Sequence, residues 1–270
     1  MTLEIAIYLG LVGCVTGFMA GLLGIGGGLI MVPFVTYQLT QQGVGHDLAF
    51  KMAIVTSMST IMLTSISSIR AHHQKGAIRW DLVKGFAPGI IFGSGLASLW
   101  IFAILKGSTL AILFSVFVSF SATQMFLDKK PKPTREIPGF AGLFGVGGII
   151  GFLSGLVGAG GAFVSVPFMA WCNVSIHAAV ATSAALGFPI AVANVAGYIV
   201  SGWYLENLPA GSLGYIWIPG MLVIASCSIF TAPLGAKFAH RLPVKKLKKV
   251  FASFLYLLVA YMIYKSIYEM

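Results

Sequence analysis

The sequence predicts an all-α integral membrane protein, a polytopic helical bundle made of two inverted repeats. Each repeat is expected to contain a glycine-broken, re-entrant helical hairpin followed by three transmembrane helices. Three observations lead to this prediction: composition, segment length and an internal repeat. Of the 270 residues, 58% are hydrophobic and 9% are charged, and the mean hydropathy is +0.93. Soluble domains carry roughly 25% charged residues, so most of this chain is expected to lie in lipid.

Eight apolar segments make up most of the chain. They cover residues 3–37, 50–69, 82–104, 107–127, 139–171, 177–201, 213–236 and 249–267. About 20 residues span a hydrocarbon core, but the first and fifth segments have 35 and 33. Each of these two contains a glycine cluster and then a proline, Pro33 or Pro167. We therefore predict that both turn back as hairpins, with a short second helix that reaches the proline.

The internal repeat includes both glycine clusters. Residues 13–34 and 147–168, aligned at an offset of 134, are identical at 11 of 22 positions. The similarity continues into the next helix, where KMAIVTS at 51–57 corresponds to HAAVATS at 177–183. Glycine-broken apolar segments in corresponding places of two halves are a sequence indication of a transporter binding site.

The repeat sets the predicted domain boundaries. The first repeat covers residues 1–127, a basic linker covers 128–138, and the second repeat covers 139–270. In the third crossing of each half, FAPG at 86–89 also resembles WIPG at 217–220. This third similarity lies farther along the repeat than the glycine clusters and the Thr-Ser pairs.

The distribution of basic residues predicts the orientation. Loops 70–84, 128–138 and 237–249 hold 14 of the 17 Lys and Arg residues. All three loops fall on one side of the membrane only if both long segments turn back, and basic loops are normally cytoplasmic. The second half then enters from the opposite side, and both termini lie outside. The expected location is the inner cell membrane, with these loops in the cytoplasm.

Composition and motifs exclude several functions. The net charge of +10 does not indicate nucleic-acid binding, because the basic residues flank apolar segments. The sequence has no HExxH, no GxSxG and no glycine loop followed by Lys-Ser/Thr. We therefore predict no enzyme activity, no cofactor and no metal site. The seven acidic residues lie near segment ends, which disfavours a cation carrier.

The glycine clusters GIGGG at 24–28 and GAGGA at 158–162 are the main candidate binding elements, and we call them the first and second breaks. Glycine allows the backbone to leave helical geometry close to a ligand. The helix that follows each break presents free N–H groups and a positive dipole end, which favour an anion. The candidate contacts are Gly24, Gly26, Gly27, Gly28, Gly158, Gly160, Gly161 and Ala162. Close helix packing is the alternative role, and we assign it to Gly13, Gly17, Gly21, Gly147, Gly151 and Gly155.

Polar side chains in the following helices are further candidates. The hydroxyls of Thr56, Ser57, Thr182 and Ser183 could donate to an oxyanion. Hydrogen bonds to their own or a neighbouring helix are the alternative. Asn194 lies three turns beyond the second pair and could either bind a ligand or hold two helices together.

Lys51 and His177 occupy corresponding positions at the start of these helices. An ionisable group inside a membrane suggests a functional role, so either residue could attract an anion or carry a proton. His177 is the candidate carrier if protons are the coupling ion. The alternative is an interfacial position with the charged group in the headgroup region.

Taken over the whole chain, these features resemble the TauE/SafE sulfite-exporter family, also called the toluene-sulfonate uptake permease family. The resemblance rests on the doubled motif G-x₃-G-L-x-G-x-G-G-x₅-P, the two Thr-Ser pairs, the eight segments and PLGAKFAHRLP at 233–243. It implies a secondary transporter of small sulfur-containing oxyanions, such as sulfite or organosulfonates, working by alternating access. Ala162 departs from the pattern where the first half has Gly28, which suggests that the first break lies closer to the ligand.

The expected partners are a small anionic substrate and membrane lipids, with protons as a hypothetical coupling ion. The sequence leaves homo-oligomer formation and the direction of transport open. An anion channel, a metal-cation carrier and a non-transporting structural membrane protein are the alternatives that remain.

Overall fold

The computed structural model describes residues 2–24, 27–127, 135–205, 208–238 and 244–268. Its helices are α1 (Leu3–Leu23), α2 (Gly28–Gln41), α3 (His46–His73), α4 (Trp80–Leu96), α5 (Phe102–Ile104), α6 (Gly107–Leu127), α7 (Phe140–Val157), α8 (Ala162–Trp171), α9 (Ile176–Ser201), α10 (Ile218–Phe238) and α11 (Val244–Tyr268). A π-helical turn, Ala97–Ile101, joins α4 to α5, and the short strands β1 (Ser212–Leu213) and β2 (Ile216–Trp217) pair antiparallel. The described chain is therefore almost entirely helical.

The predicted membrane segments all appear as helices. Seven helical stretches in the described residues are long and apolar enough to cross a membrane, and the eighth apolar segment lies in α11. The two long segments are each divided into two helices, α1 with α2 and α7 with α8, as predicted. The all-α, multi-pass fold class is confirmed. Most of the predicted linker, residues 128–134, lies outside the described residues.

Left-handed glycines divide the two long segments. Gly24 ends α1 with φ of 70°, and Gly158 ends α7 with φ of 74°. Gly27 and Gly161, with φ of 75° and 78°, immediately precede α2 and α8. Residues with a Cβ rarely adopt such angles, so glycine is needed at these four positions. The two breaks therefore share one backbone design.

The prolines do not end the second helices. Pro33 lies inside α2, which continues to Gln41, and Pro167 lies inside α8, which continues to Trp171. The prediction of helices that stop at the prolines was wrong. Proline removes one backbone donor from the helix interior, and the surrounding packing maintains the helix beyond it.

The glycine stripes of α1 and α7 pack against helices of the opposite half. A Cβ added at Gly17 would lie 2.5 Å from Ser228 Cα in α10. A Cβ added at Gly151 would lie 2.9 Å from Ser94 N in α4. Side chains larger than hydrogen would therefore separate these helix pairs, and the predicted packing role of the stripes is confirmed.

The same contacts define how α4 and α10 correspond. Gly13 faces the Ile224 carbonyl, and its counterpart Gly147 faces the Phe86 carbonyl. The equivalent positions in α4 and α10 are thus 138 residues apart, not 131 as the FAPG and WIPG tetrapeptides suggested. The two similar tetrapeptides therefore lie about two helical turns away from structurally equivalent positions.

Two hydrogen bonds link the halves in a matched way. The hydroxyl of Thr56 in α3 accepts from the backbone N–H of Trp217, just before α10, at 3.0 Å. The hydroxyl of Thr182 in α9 accepts from the backbone N–H of Arg79, just before α4, at 3.0 Å. The first bond joins the first half of α3 to the segment after α9, and the second joins the first half of α9 to the segment after α3. Helices α3 and α9 therefore run antiparallel at the centre of the bundle.

Candidate functional site

The two breaks meet at one point. A Cβ added at Gly28 would overlap the carbonyl oxygen of Gly158, so the backbone of α2 lies directly on the end of α7. At Gly24, an added Cβ would lie 2.8 Å from the carbonyl oxygen of Val180 in α9. At Gly158 it would lie 3.3 Å from Ile54 Cα in α3. The sequence predicted a site between the breaks, and the structure brings their described residues together, while Gly26 lies outside them.

Both second helices begin at buried, uncapped ends. Neither Gly27 before α2 nor Gly161 before α8 is accompanied by a side-chain cap. The first residues of the helices, Gly28 and Ala162, are buried. The first N–H groups of a helix lack intrahelical partners, and the helix dipole makes this end positive. Both breaks thus present hydrogen-bond donors inside the protein.

A small cavity touches both breaks. Its volume is about 20 Å³, and it is lined by Ala20, Gly24, Ile61, Thr64, Ser65, Ser68, Gly160, Ala184 and Gly187. A polar cavity of about 10–15 Å³ is sufficient for one water molecule. The cavity lies between the second half of α3 and the first half of α9. It is thus a narrow, neutral and mostly apolar space that begins at the breaks, and the hydroxyls of Thr64 and Ser65 are bonded within α3.

The two Thr-Ser pairs are held differently. The threonines serve as acceptors for helix-starting N–H groups, as described above. Ser183 accepts a hydrogen bond from Ser165 of α8 at 2.8 Å. Ser57 is 1% exposed, and its hydroxyl has no partner among the described residues. It lies one helical turn before Ile61, on the face of α3 that continues into the cavity.

Asn194 lies in a polar cluster between helices. Its Nδ2 donates to Ser94 Oγ at 3.0 Å and to the Ile190 carbonyl at 2.9 Å. The Tyr198 hydroxyl donates to the carbonyl of Gly155, and a Cβ at Gly155 would overlap Asn194 Oδ1. This cluster ties α9 to α4 and α7. The geometry favours the helix-joining alternative for Asn194 and leaves its ligand role a prediction.

Lys51 and His177 lie away from the breaks. The Lys51 Nζ donates to the carbonyl of Ala103 at 3.2 Å. It also lies 5.6 Å from the ring centre of Phe102 and 5.8 Å from that of Tyr215. His177 is exposed in the first turn of α9. Lys51 thus holds the end of the α4–α5 helix, and the coupling role of both residues remains a prediction.

The sequence reasoning missed two groups of polar residues near the breaks. The first comprises Thr64, Ser65 and Ser68, which line the cavity. They follow Ser57 by seven, eight and eleven residues, a spacing that places them on one helix face and was a usable signal. The second is Ser154, in the last turn of α7, which stands where the first half has Ala20. A serine that replaces alanine in an otherwise apolar repeat was the only sign of it.

Comparisons with known proteins agree over nearly the whole chain. The sequence profile of the family described as sulfite exporter TauE/SafE matches residues 9–262. A probable membrane transporter protein of Haemophilus influenzae is 38% identical over 91% of this chain and 93% of its own. A probable membrane transporter protein of Methanocaldococcus jannaschii is 28% identical over 91% of this chain and 90% of its own. The Bacillus subtilis probable membrane transporter protein YunE is 25% identical over the full length of both chains. No solved structure gives a significant match.

The apolar helices, the buried breaks and these relatives define a multi-pass membrane transporter. The profile match covers far more than half of the sequence. The chain belongs to the TauE/SafE family. The resemblance inferred from the doubled glycine motif is thereby confirmed.

Proposed function

We propose that this protein is a secondary transporter of small sulfur-containing oxyanions, either sulfite or organosulfonates. The substrate binds between the two breaks, and alternating access exposes it first to one side of the membrane and then to the other. The convergence of the two buried breaks at one cavity carries this proposal. The family description as a sulfite exporter supports the substrate class.

The chemistry around the breaks favours an anion. The described residues that line the cavity are glycine, alanine, isoleucine, serine and threonine, all of them neutral. Backbone N–H groups and hydroxyls donate hydrogen bonds to oxyanions without a full positive charge. Two helix N-termini add partial positive charge in an environment of low dielectric constant. Such a site holds an anion firmly and can still release it.

The arrangement of the halves supports alternating access. Matched hydrogen bonds and antiparallel α3 and α9 are what an inverted repeat requires. The cavity lies on the side where α3 ends, next to the basic loop 70–84. On the other side, the counterparts of Thr64 and Ser68 are Ile190 and Asn194, which are packed and hydrogen-bonded. We propose that this conformation is closed on the outside and opens towards the cytoplasm, with both termini outside an inner cell membrane.

Coupling and assembly complete the proposal. Proton coupling through His177 remains a hypothesis, and His177→Ala tests it directly. If His177 carries the coupling proton, uptake into proteoliposomes should lose its response to an imposed pH gradient. A variant whose uptake follows the gradient as the wild type does would remove His177 from the mechanism. Homo-oligomer formation is open and would be measured on the same purified protein.

Ligand binding to detergent-purified protein is the primary test. A ligand that binds only the folded state raises the unfolding temperature by mass action. We expect saturable stabilisation by sulfite and sulfoacetate, weaker effects from chloride, and none from divalent cations. Gly27→Ala should weaken the response because Gly27 has φ of 75°. The matched control Gly145→Ala should not, because nothing lies within 4 Å of an added Cβ there.

Three outcomes would contradict the proposal. Stabilisation by divalent cations alone would favour the metal-carrier alternative. Single-channel currents in planar bilayers would favour an anion channel. A loss of stability in Gly27→Ala, with no anion effect on either protein, would favour a structural role for the breaks.

A further inference from the structure

We propose that the oxyanion is held at the second break rather than shared equally, with Ser154 as a hydroxyl donor beside the N-terminus of α8. The ligand class is the –SO₃ head group that sulfite and organosulfonates share. This inference rests on the proposed function and assigns the substrate head group to one of the two breaks.

Ser154 is a buried hydroxyl without a hydrogen-bond partner. Its side chain is 0% exposed, and its Oγ makes no hydrogen bond to any described residue. Serine inside a helix commonly donates to the carbonyl three or four residues earlier. Ser59 and Ser98 do so here, at 2.9 and 2.7 Å. An unpaired buried hydroxyl costs free energy unless something else satisfies it, so Ser154 is available to a ligand.

The hydroxyl lies beside the N-terminus of α8. A Cβ added at Gly161, the residue that precedes α8, would be 3.3 Å from Ser154 Oγ. The N–H groups of Val164 and Ser165 bond to the carbonyl of Gly161. Among the described residues, the N–H groups of the two preceding positions in α8 have no backbone or side-chain acceptor. The hydroxyl therefore lies next to the start of the helix that carries these N–H groups.

Apolar side chains bound this point. The added Cβ at Gly161 would lie 2.7 Å from Ile150 Cγ2 and 2.7 Å from Ile190 Cδ1. The two isoleucines exclude water, which strengthens hydrogen bonds to a charged group. Gly160, one residue away, lines the cavity that leads out from the break. Binding of a head group against α8 therefore requires the side chains of Ile150 and Ile190 to move aside.

The first break lacks this arrangement. In the first half, Ala20 lies at the position that corresponds to Ser154, and its side chain has no hydrogen-bond donor. An added Cβ at Gly27 would lie 3.0 Å from the carbonyl oxygen of Thr16, an acceptor that disfavours an anion. The Thr16 hydroxyl is already engaged with the Val12 carbonyl at 2.7 Å. The earlier suggestion that Gly28 brings the first break closer to the ligand is also unnecessary, because contact with Gly158 explains that glycine.

The substitution Ser154→Ala separates binding from folding. Removing an unpaired buried hydroxyl should leave the unfolding temperature of the ligand-free protein unchanged or slightly raised. The dissociation constant for sulfite should rise about 10-fold or more, because hydrogen bonds to charged groups are among the strongest. The matched control is Ser59→Ala, which removes a buried hydroxyl that is bonded within its own helix.

The experiment is titration of purified wild type, Ser154→Ala and Ser59→Ala with sulfite and with sulfoacetate. We expect both ligands to lose affinity in Ser154→Ala and to keep it in Ser59→Ala. If wild type and Ser154→Ala bind within twofold of each other, the assignment of Ser154 is wrong while the proposed function stands. If the wild type binds neither anion, the proposed function itself fails.

The stability measurement keeps the test decisive. A Ser154→Ala protein that is clearly less stable without ligand, or does not fold, would assign Ser154 a structural role and overturn the inference. The reciprocal variant Ala20→Ser should not raise affinity, because the first break lacks the arrangement around Gly161. Tighter binding by Ala20→Ser would show that the two breaks are equivalent as anion sites.

Discussion

The two hairpins use the same backbone in different chemical surroundings. In both, one left-handed glycine ends the first helix and another precedes the second, with φ between 70° and 78°. Around this shared geometry, the first half places Gly28 and Ala20 where the second half places Ala162 and Ser154. The backbone repeat therefore provides two buried helix ends. Differences between the halves at single positions give each end its own chemical surroundings.

The hydroxyls on α3 and α9 also differ between the halves, in whether they have a hydrogen-bond partner. Ser183 is bonded to Ser165, whereas Ser57 has no described partner. Along α3, Ser68 faces the cavity without a partner, whereas its counterpart Asn194 closes a polar cluster. A duplicated fold can thus keep one side packed and the other open. Four pairs of substitutions test this comparison.

The largest effect is expected from Gly28→Ala. The new Cβ would overlap the carbonyl of Gly158, and forcing the two backbones apart should cost about 3 kcal/mol. The opposite exchange, Ala162→Gly, should cost only about 0.5–1 kcal/mol, through backbone entropy. Unfolding of the purified variants in detergent measures both. Equal costs would mean that the breaks are packed alike.

The next effect concerns the hydroxyls that join the halves. Thr56→Val leaves the buried N–H of Trp217 without an acceptor and should cost about 2 kcal/mol. Thr182→Val should cost about 1 kcal/mol, because the bond to Arg79 is only partly buried and water can replace it. Unfolding free energies of the two variants test this order. A larger loss in Thr182→Val would contradict it.

A smaller contrast is expected between Asn194 and Ser68. Asn194→Ala removes two donated hydrogen bonds and should lower the unfolding free energy by about 1–2 kcal/mol. Ser68→Ala removes a hydroxyl with no described partner and should change it by less than about 0.5 kcal/mol. Unfolding in detergent would again measure both variants. If the two residues proved equally important, the closed and open sides would not differ as described.

The smallest contrast is within the Thr-Ser pairs. Ser183→Ala loses the bond to Ser165 and should cost about 1 kcal/mol, while Ser57→Ala should leave the unfolding temperature nearly unchanged. If Ser57 contacts the substrate, its variant should instead weaken the stabilisation by sulfite. A Ser57→Ala protein that is destabilised yet binds normally would assign Ser57 a structural role.

Much of the fold could be predicted from local pattern. Segment length and the paired glycine clusters predicted that each long segment is divided into two helices, because a ~30 Å hydrocarbon core limits helix length and left-handed backbone favours glycine. The prolines misled the prediction, since tertiary packing carries α2 and α8 past Pro33 and Pro167. The domain boundaries and the membrane orientation remain predictions.

The site was predicted less completely, because its key relations join distant parts of the chain. The contact of Gly28 with Gly158 and the bond of Thr56 to Trp217 depend on how helices of different halves pack. The spacing of residues along the sequence does not predict these two contacts. Ser154 was missed because one serine in an apolar helix carries no signal until its surroundings show that it has no partner.

The pairing of α1 with α10 affects how the protein is made. Helix α1 is synthesised well before α10, and its glycine stripe fits the α10 backbone. Until α10 is inserted, the glycine stripe of α1 has no partner helix. The partner of α7 is α4, which is synthesised before α7. The second hairpin can therefore assemble as it is inserted, and the first must wait. A chain interrupted before α10 would leave a complete hairpin with nothing to close against.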